Sequence, residues 1–196
     1  MTDAPPAEWG ISLDLGSDWY PVPLDIDPDA FGATVVEALI EDAPAVAGRP
    51  VSREIAEAVA SEFVVLTRNA QQTGAFATSL FRPVYDAPTV AVLEAHVNER
   101  TGDLPLAAWV EMEHREPVLN RQVTEVQLPV GPAVRLWEVG AGPRSEPEAV
   151  VVETVAHYLD APGGDVIRLA LSWTSPGLSA ELRRTADQIA HDLAFQ

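Results

Sequence analysis

Two strand-like runs, Ala149 to Leu159 and Val166 to Thr174, are separated by little more than Ala161-Pro162-Gly163-Gly164-Asp165. So short a connection demands an antiparallel pair, since parallel strands need a crossover of about a dozen residues or more. Centring the turn on Pro162 to Gly164 sets Asp160 opposite Asp165. Tyr158 then lies beside Ile167, His157 beside Arg168 and Glu153 beside Ser172. On that register one face is apolar, with Val150, Val152, Ala156 and Tyr158 joining Ile167, Leu169, Leu171 and Trp173, and it is expected to pack beneath the C-terminal helix. The other face is mixed: Glu153, His157, Arg168 and Ser172 sit among Val151, Val155, Val166 and Ala170, with Arg135 and Trp137 joining from the preceding strand. Such a face can form a binding groove or catalytic pocket. More often it is the solvent side of a sheet, or is sealed by a helix with its charges paired.

The other periodicities complete an α+β pattern. Ile11, Leu13 and Leu15 alternate, Gly16-Ser17-Asp18 turns, and WYPVPL resumes, which reads as a β-hairpin whose second arm Pro21 and Pro23 place at a sheet edge. Asp27 suits a helix N-cap and Pro28 its first position, with Phe31, Val35 and Leu39 on one face for about three to four turns. After the linker APAVAGRP, Ser52 caps a longer helix with the stripe Ile55, Val59, Phe63, Leu66 and Ala70, and Gly74 stops it. Two strand runs around Asp86-Ala87-Pro88 form another antiparallel pair. A helix from Leu104 to His114, capped by Asp103, turns Leu106, Trp109 and Val110 inward. Strands at Arg121 to Gln127 and Pro132 to Val139 lead into the final hairpin as a meander. A last helix, Ser179 to Phe195, presents Leu182, Ala186, Ile189 and Leu193. This order excludes regular βαβ winding and predicts one domain over residues 1–196, an antiparallel sheet meander with helices on one or both faces.

The 196-residue chain has no cysteine, which removes disulfides, zinc ribbons, iron–sulfur clusters and thiol nucleophiles. Its net charge of -18 argues against nucleic acid and anionic membrane partners. The charge is uneven, with ten acids and no basic residue between Met1 and Gly48. That quarter is an anionic surface, read either as a solubility device or as a docking face for a basic protein partner. The start MTDAPPAEWG has neither a basic n-region nor an apolar h-region, and no apolar stretch approaches the roughly 20 residues of a bilayer-spanning helix. The expectation is a cytoplasmic protein.

Chemical motifs are sparse. Asp25-x-Asp27-x-Asp29 imitates the start of a calcium loop, but Ala30 stands at the turn position and Val36 where a bidentate Glu is required. Even spacings of Glu94 with His96, and of Glu153 with His157, would make a metal site if their strands were neighbours. The G-x-G at Gly140 and Gly142 opens no helix. There is no G-x-S-x-G elbow, and neither a cofactor nor a metal is expected. The candidate binding residues are Trp9, Asp14, Asp18, Trp19, Asp25, Asp27 and Asp29 on the acidic segment, and Trp137, Glu153, His157 and Arg168 on the mixed face. Tryptophan beside acids suits an interface anchor, although core burial explains each one singly.

GPAVRL, HYLDAPGGDVIRLALSWTSP and TADQIAHDLAF, with WYPVPL near the start, resemble a recurrent pattern of small uncharacterised actinobacterial proteins. More distantly they are similar to the α/β/α sandwich of the photosystem extrinsic protein PsbP and the yeast Ran-binding import factor. In that pattern a meander delivers a turn, here Thr174-Ser175-Pro176, into a closing helix. The resemblance implies an architecture that mainly binds other proteins, bacterial secretion chaperones among them, and carries no catalytic residue across. The expectation is a non-enzymatic adaptor, secretion-chaperone or immunity-type accessory protein. The alternatives are a small enzyme or ligand-binding protein using the mixed face, and a structural subunit of a larger assembly.

Overall fold

The computed structural model describes residues 10–46, 50–83, 88–100, 103–114, 118–141 and 151–196. In chain order the elements are β1 (Ile11–Ser12), β2 (Trp19–Pro21), α1 (Pro28–Val46), α2 (Arg53–Thr73), β3 (Ala77–Phe81) and β4 (Ala91–Asn98). Then follow α3 (Leu106–Glu113), β5 (Asn120–Leu128), β6 (Gly131–Ala141), β7 (Val151–Asp160), β8 (Val166–Trp173), α4 (Ser179–His191) and β9 (Ala194–Phe195). The fold is α+β, a seven-stranded antiparallel sheet in the order β2-β3-β4-β8-β7-β6-β5 with four helices. Two meanders therefore meet where β4 pairs with β8.

Local chemistry accounts for the helix ends. Asp27 Oδ1 accepts from Ala30 N at 2.9 Å, and Ser52 Oγ accepts from Ile55 N at 3.3 Å. Gly74 closes α2 at φ 74°, where a side chain would be strained. Gly32 is required for a different reason. A Cβ there would stand 2.5 Å from Val64 Cγ2, so only glycine allows α1 this close to α2. α1 runs on into the expected linker, through Pro44 to Val46, because a proline in the last turn forfeits only one intrahelical bond. α3 lacks the expected cap: Pro105 occupies that position, without a side-chain bond.

Two strand expectations need correction. β1 does not form a hairpin with β2; it pairs with β9, Ile11 against Phe195, and ties the N-terminal segment to the end of the chain. β2 instead forms the sheet edge beside β3, where Pro21 costs no interior ladder bond. The β7–β8 register is also one residue from the expected one. Ala161 N donates to Asp165 O, and Gly163 and Gly164 take φ of 107° and 97°, so the loop holds three residues instead of four. His157 consequently pairs with Leu169, Tyr158 with Arg168, Thr154 with Ser172 and Glu153 with Trp173. A one-residue shift exchanges the faces of one strand relative to the other.

The sheet is thus the middle of three layers. Glu153, Val155, His157 and Leu159 share a face with Ile167, Leu169, Leu171 and Trp173, which α4 covers with Leu182, Ala186 and Ile189. The opposite face is covered in two places. Against β2–β4, α1 and α2 bury Leu39, Val59 and Phe63 on Leu80 and Val92. Further along, α3 buries Trp109 and Val110 on Leu136, Ala156, Tyr158 and Ala170. Between these two patches runs a strip of β4 and β8 bearing Glu94, His96, Asn98, Arg168 and Ser172, none of which belongs to either apolar cluster.

Candidate functional site

The expected mixed face does not exist as one surface. Glu153, His157 and Trp137 lie under α4, whereas Arg168 and Ser172 lie on the other side of the sheet. Beneath α4 the charged groups are paired, although the buried Trp173 Nε1 has no hydrogen-bond partner. Glu153, 7% exposed, accepts from Trp137 Nε1 at 2.7 Å, from Arg183 Nε and from Ser179 Oγ. The Arg183 guanidinium also stacks 4.1 Å from the Trp137 ring centroid. Burial alone would raise the Glu153 carboxyl, but the Ser179, Trp137 and Arg183 donors outweigh it and hold it below the ordinary carboxylate range. One turn along α4, Asp187 meets His157 Nε2 at 3.2 Å and Arg135 Nε at 2.7 Å. It too is held low: desolvation is overcome by those two partners. This is a face sealed by a helix with its charges paired, leaving Glu153 and His157 as packing residues.

The metal arrangement is not formed either. His96 faces the α3 side and His157 the α4 side, with β8 between their strands. Among the described residues no group of three or more His, Asp or Glu side chains could hold an ion.

On the acidic segment, Trp9 lies outside the described residues. Trp19 is half-buried at the sheet edge and packs on Phe81 with ring centroids 5.0 Å apart. Asp14, Asp18, Asp25, Asp27 and Asp29 are exposed. Asp27 caps α1, and Asp29 reaches Arg68 at 3.2 Å. The same charge continues between α1 and α2, where a depression of about 400 Å³ has Ala33, Val36 and Ile40 together with Glu37, Glu41 and Glu57 along it. Arg53 also lines it, 3.8 Å from Glu57.

On the α3 side, Tyr158 is fully buried and its hydroxyl organises two elements. It meets His114 Nε2 at 2.5 Å and accepts from Arg168 Nε at 3.1 Å. Burial lowers the His114 imidazole against the opposing pull of Glu138, so the ring is held neutral more readily than usual. A neutral ring accepts at Nε2, which directs the tyrosine proton toward it and leaves Nδ1–H facing Glu138 Oε2 at 3.7 Å. Burial likewise raises the phenol. Arg121 completes the surround by binding Glu138 Oε2 at 3.0 Å. Sequence reasoning missed this group because it placed Tyr158 on the face under α4. The one available signal was the turn's glycine pair, which admits a three-residue loop.

Fold and site together define a three-layer α+β fold whose charged groups are paired on the sheet face under α4, while Arg168 on the other face meets no described carboxylate. Its fold is similar to that of LpqN of Mycobacterium tuberculosis, a protein involved in cell envelope biogenesis, with a TM-score of 0.51 at 12% identity over 99% of this chain and 87% of that one. At that identity the likeness is one of fold. No known protein family matches the chain, and no curated protein matches its sequence. Among the described residues, no helix is long and apolar enough to cross a membrane.

Proposed function

We propose that this domain is a non-enzymatic protein-binding module, an adaptor or chaperone-type accessory protein acting in the cytoplasm, whose α1–α2 groove receives a basic, amphipathic segment of another protein. The observation that carries this reading is the groove itself: an apolar floor of Ala33, Val36 and Ile40 with Glu37, Glu41 and Glu57 alongside. Apolar residues flanked by acids complement a helix or strand with one apolar stripe and basic margins. The pairing of Glu153 and His157 under α4 is consistent with this reading, because it separates two of the four residues of the enzyme alternative from Arg168 on the other face. The resemblance to the uncharacterised actinobacterial group and its PsbP-like sandwich adds support at the level of architecture. Envelope biogenesis does not pass from LpqN to this chain on likeness of fold.

The test is recovery of co-purifying proteins from the native host by wild type and by the triple variant Glu37→Lys/Glu41→Lys/Glu57→Lys. The expected result is a partner that is lost in the variant and released as salt rises from about 50 mM to about 500 mM, where screening shortens from roughly 14 Å to 4 Å. Glu181→Lys, on exposed α4, should leave recovery unchanged. Retention of every partner by the triple variant at high salt would show that the groove is not the docking surface.

A further inference from the structure

The arginines of this acidic chain are spent almost entirely on its own carboxylates. Among the described residues, Arg53, Arg68, Arg82, Arg100, Arg121, Arg135 and Arg183 each reach an Asp or Glu within 4.0 Å. Arg184 is exposed on α4 and bonds a backbone carbonyl. Arg168 is the half-buried exception, held only through Nε by the Tyr158 hydroxyl at 3.1 Å. Its terminal nitrogens have no described carboxylate although the chain carries a net charge of -18.

Two further nitrogens lie next to it on the same face. His96 is directly opposite Arg168 on β4, and Asn98 is two residues further along that strand. His96 Nε2 and Asn98 Nδ2 are both buried and lack hydrogen-bond partners, as do Thr78 Oγ1 and, on the other face, Trp173 Nε1; only the first two lie next to an arginine that meets no described carboxylate. Glu94 Oε2 stands 3.6 Å from His96 Nε2, within the 4.0 Å range of an ion pair but beyond hydrogen-bond reach. Buried polar nitrogens without partners are costly, and with the Nε2–H tautomer of His96 the strip offers two donors beside a guanidinium whose terminal nitrogens meet no described carboxylate, a set that an acceptor from outside the chain would satisfy. Tyr158 engages the guanidinium at Nε and leaves the pair of terminal nitrogens, the fork that matches two oxygens of an oxyanion.

We infer that Arg168, His96 and Asn98 form a binding site for the carboxylate or phosphate group of a small molecule, on the sheet strip between α2 and α3. The ligand enters from solvent, since Arg168, Asn98 and Glu94 are all half-exposed, and Glu94 disfavours a second negative charge on the side next to His96. The site is independent of the acidic groove and is occupied by the opposite charge.

The experiment is a nuclear magnetic resonance titration of the full chain with sodium acetate, with inorganic phosphate, and with sodium chloride at matched ionic strength. Saturable shifts of the Arg168 Nε–H, the Asn98 side-chain amide and the His96 ring are expected with at least one oxyanion and not with chloride. Tighter binding of acetate identifies a carboxylate ligand, and tighter binding of phosphate a phosphorylated one. Arg168→Gln should weaken binding about tenfold or more, Asn98→Ala by less, and Arg168→Lys should fall between wild type and Arg168→Gln because it keeps charge without the fork. Should Arg168→Gln fail to fold, Arg168→Lys and Asn98→Ala carry the test. The proposal is overturned if the shifts rise linearly with all three salts, or if saturable binding survives unchanged in the folded variants.

Discussion

The two faces of the central sheet hold similar polar residues and treat them differently. Beneath α4, Glu153 on the sheet gathers donors from β6 and from the helix, and Asp187 on the helix gathers donors from β6 and β7, so that the helix is pinned in two successive turns by charges satisfied within the chain. Toward α3, a tyrosine hydroxyl takes the central position, and it can engage Arg168 and His114 without neutralising either. A carboxylate in that place would have consumed the guanidinium; a phenol orients it and leaves its terminal nitrogens available. The contrast separates polar residues that hold layers together from those free to meet a ligand, a distinction residue type alone does not make.

The largest test of this contrast is Glu153→Ala, which leaves Arg183 and Trp137 Nε1 without their acceptor at the α4 interface. Arg183 keeps more than a third of its side chain in solvent, so the loss is that of charge-assisted hydrogen bonds, about 1.5–3 kcal/mol, and urea denaturation should show a loss of that order. A loss below about 1 kcal/mol would mean that α4 is held by its apolar stripe alone. Next in size is Tyr158→Phe, which deletes a buried hydroxyl bonded to His114 and Arg168. About 1–2 kcal/mol is expected, measured in the same way. A neutral outcome would place the phenol outside the network that orients Arg168.

The smallest effects lie in the pH profile, where the two faces separate. Burial dominates the lowering of His114, so the unfolded chain binds the extra proton. The stability from keeping that ring neutral is full above about 6.5 and is lost as pH falls through the lower folded value. Glu153 and Asp187 are also lowered, so their contribution is full above about 4 and is lost in stronger acid. His114→Gln should therefore flatten the slope of stability between about pH 7 and 5, and Glu153→Gln only that below about 4. Thermal unfolding across pH reads both, and interchange of the two windows would refute the assignment.

Much of the helical framework was legible in advance because its signals are local. Asp27, Ser52 and Gly74 act on backbone groups within a turn of themselves, and each sits where a cap is seen. The apolar stripes of α2 and α4 likewise point inward at Val59, Phe63, Leu182 and Ile189. The candidate site fared worse for a reason that is also local. Whether Ala161 closes the ladder with Asp165 is a matter of one residue in the turn, yet it moves Glu153 and Arg168 to opposite faces.

The sequence by itself determined the class of fold, the antiparallel final hairpin, the capped helices and a strongly acidic N-terminal quarter, since each follows from periodicity, turn residues or charge along a short stretch. Only the tertiary structure decided that β1 joins β9 and that β4 joins β8, which brings His96 and Asn98 beside Arg168 across about 70 residues of chain. Long-range pairing depends on which surfaces remain to be buried after local elements form, and no single segment encodes that choice.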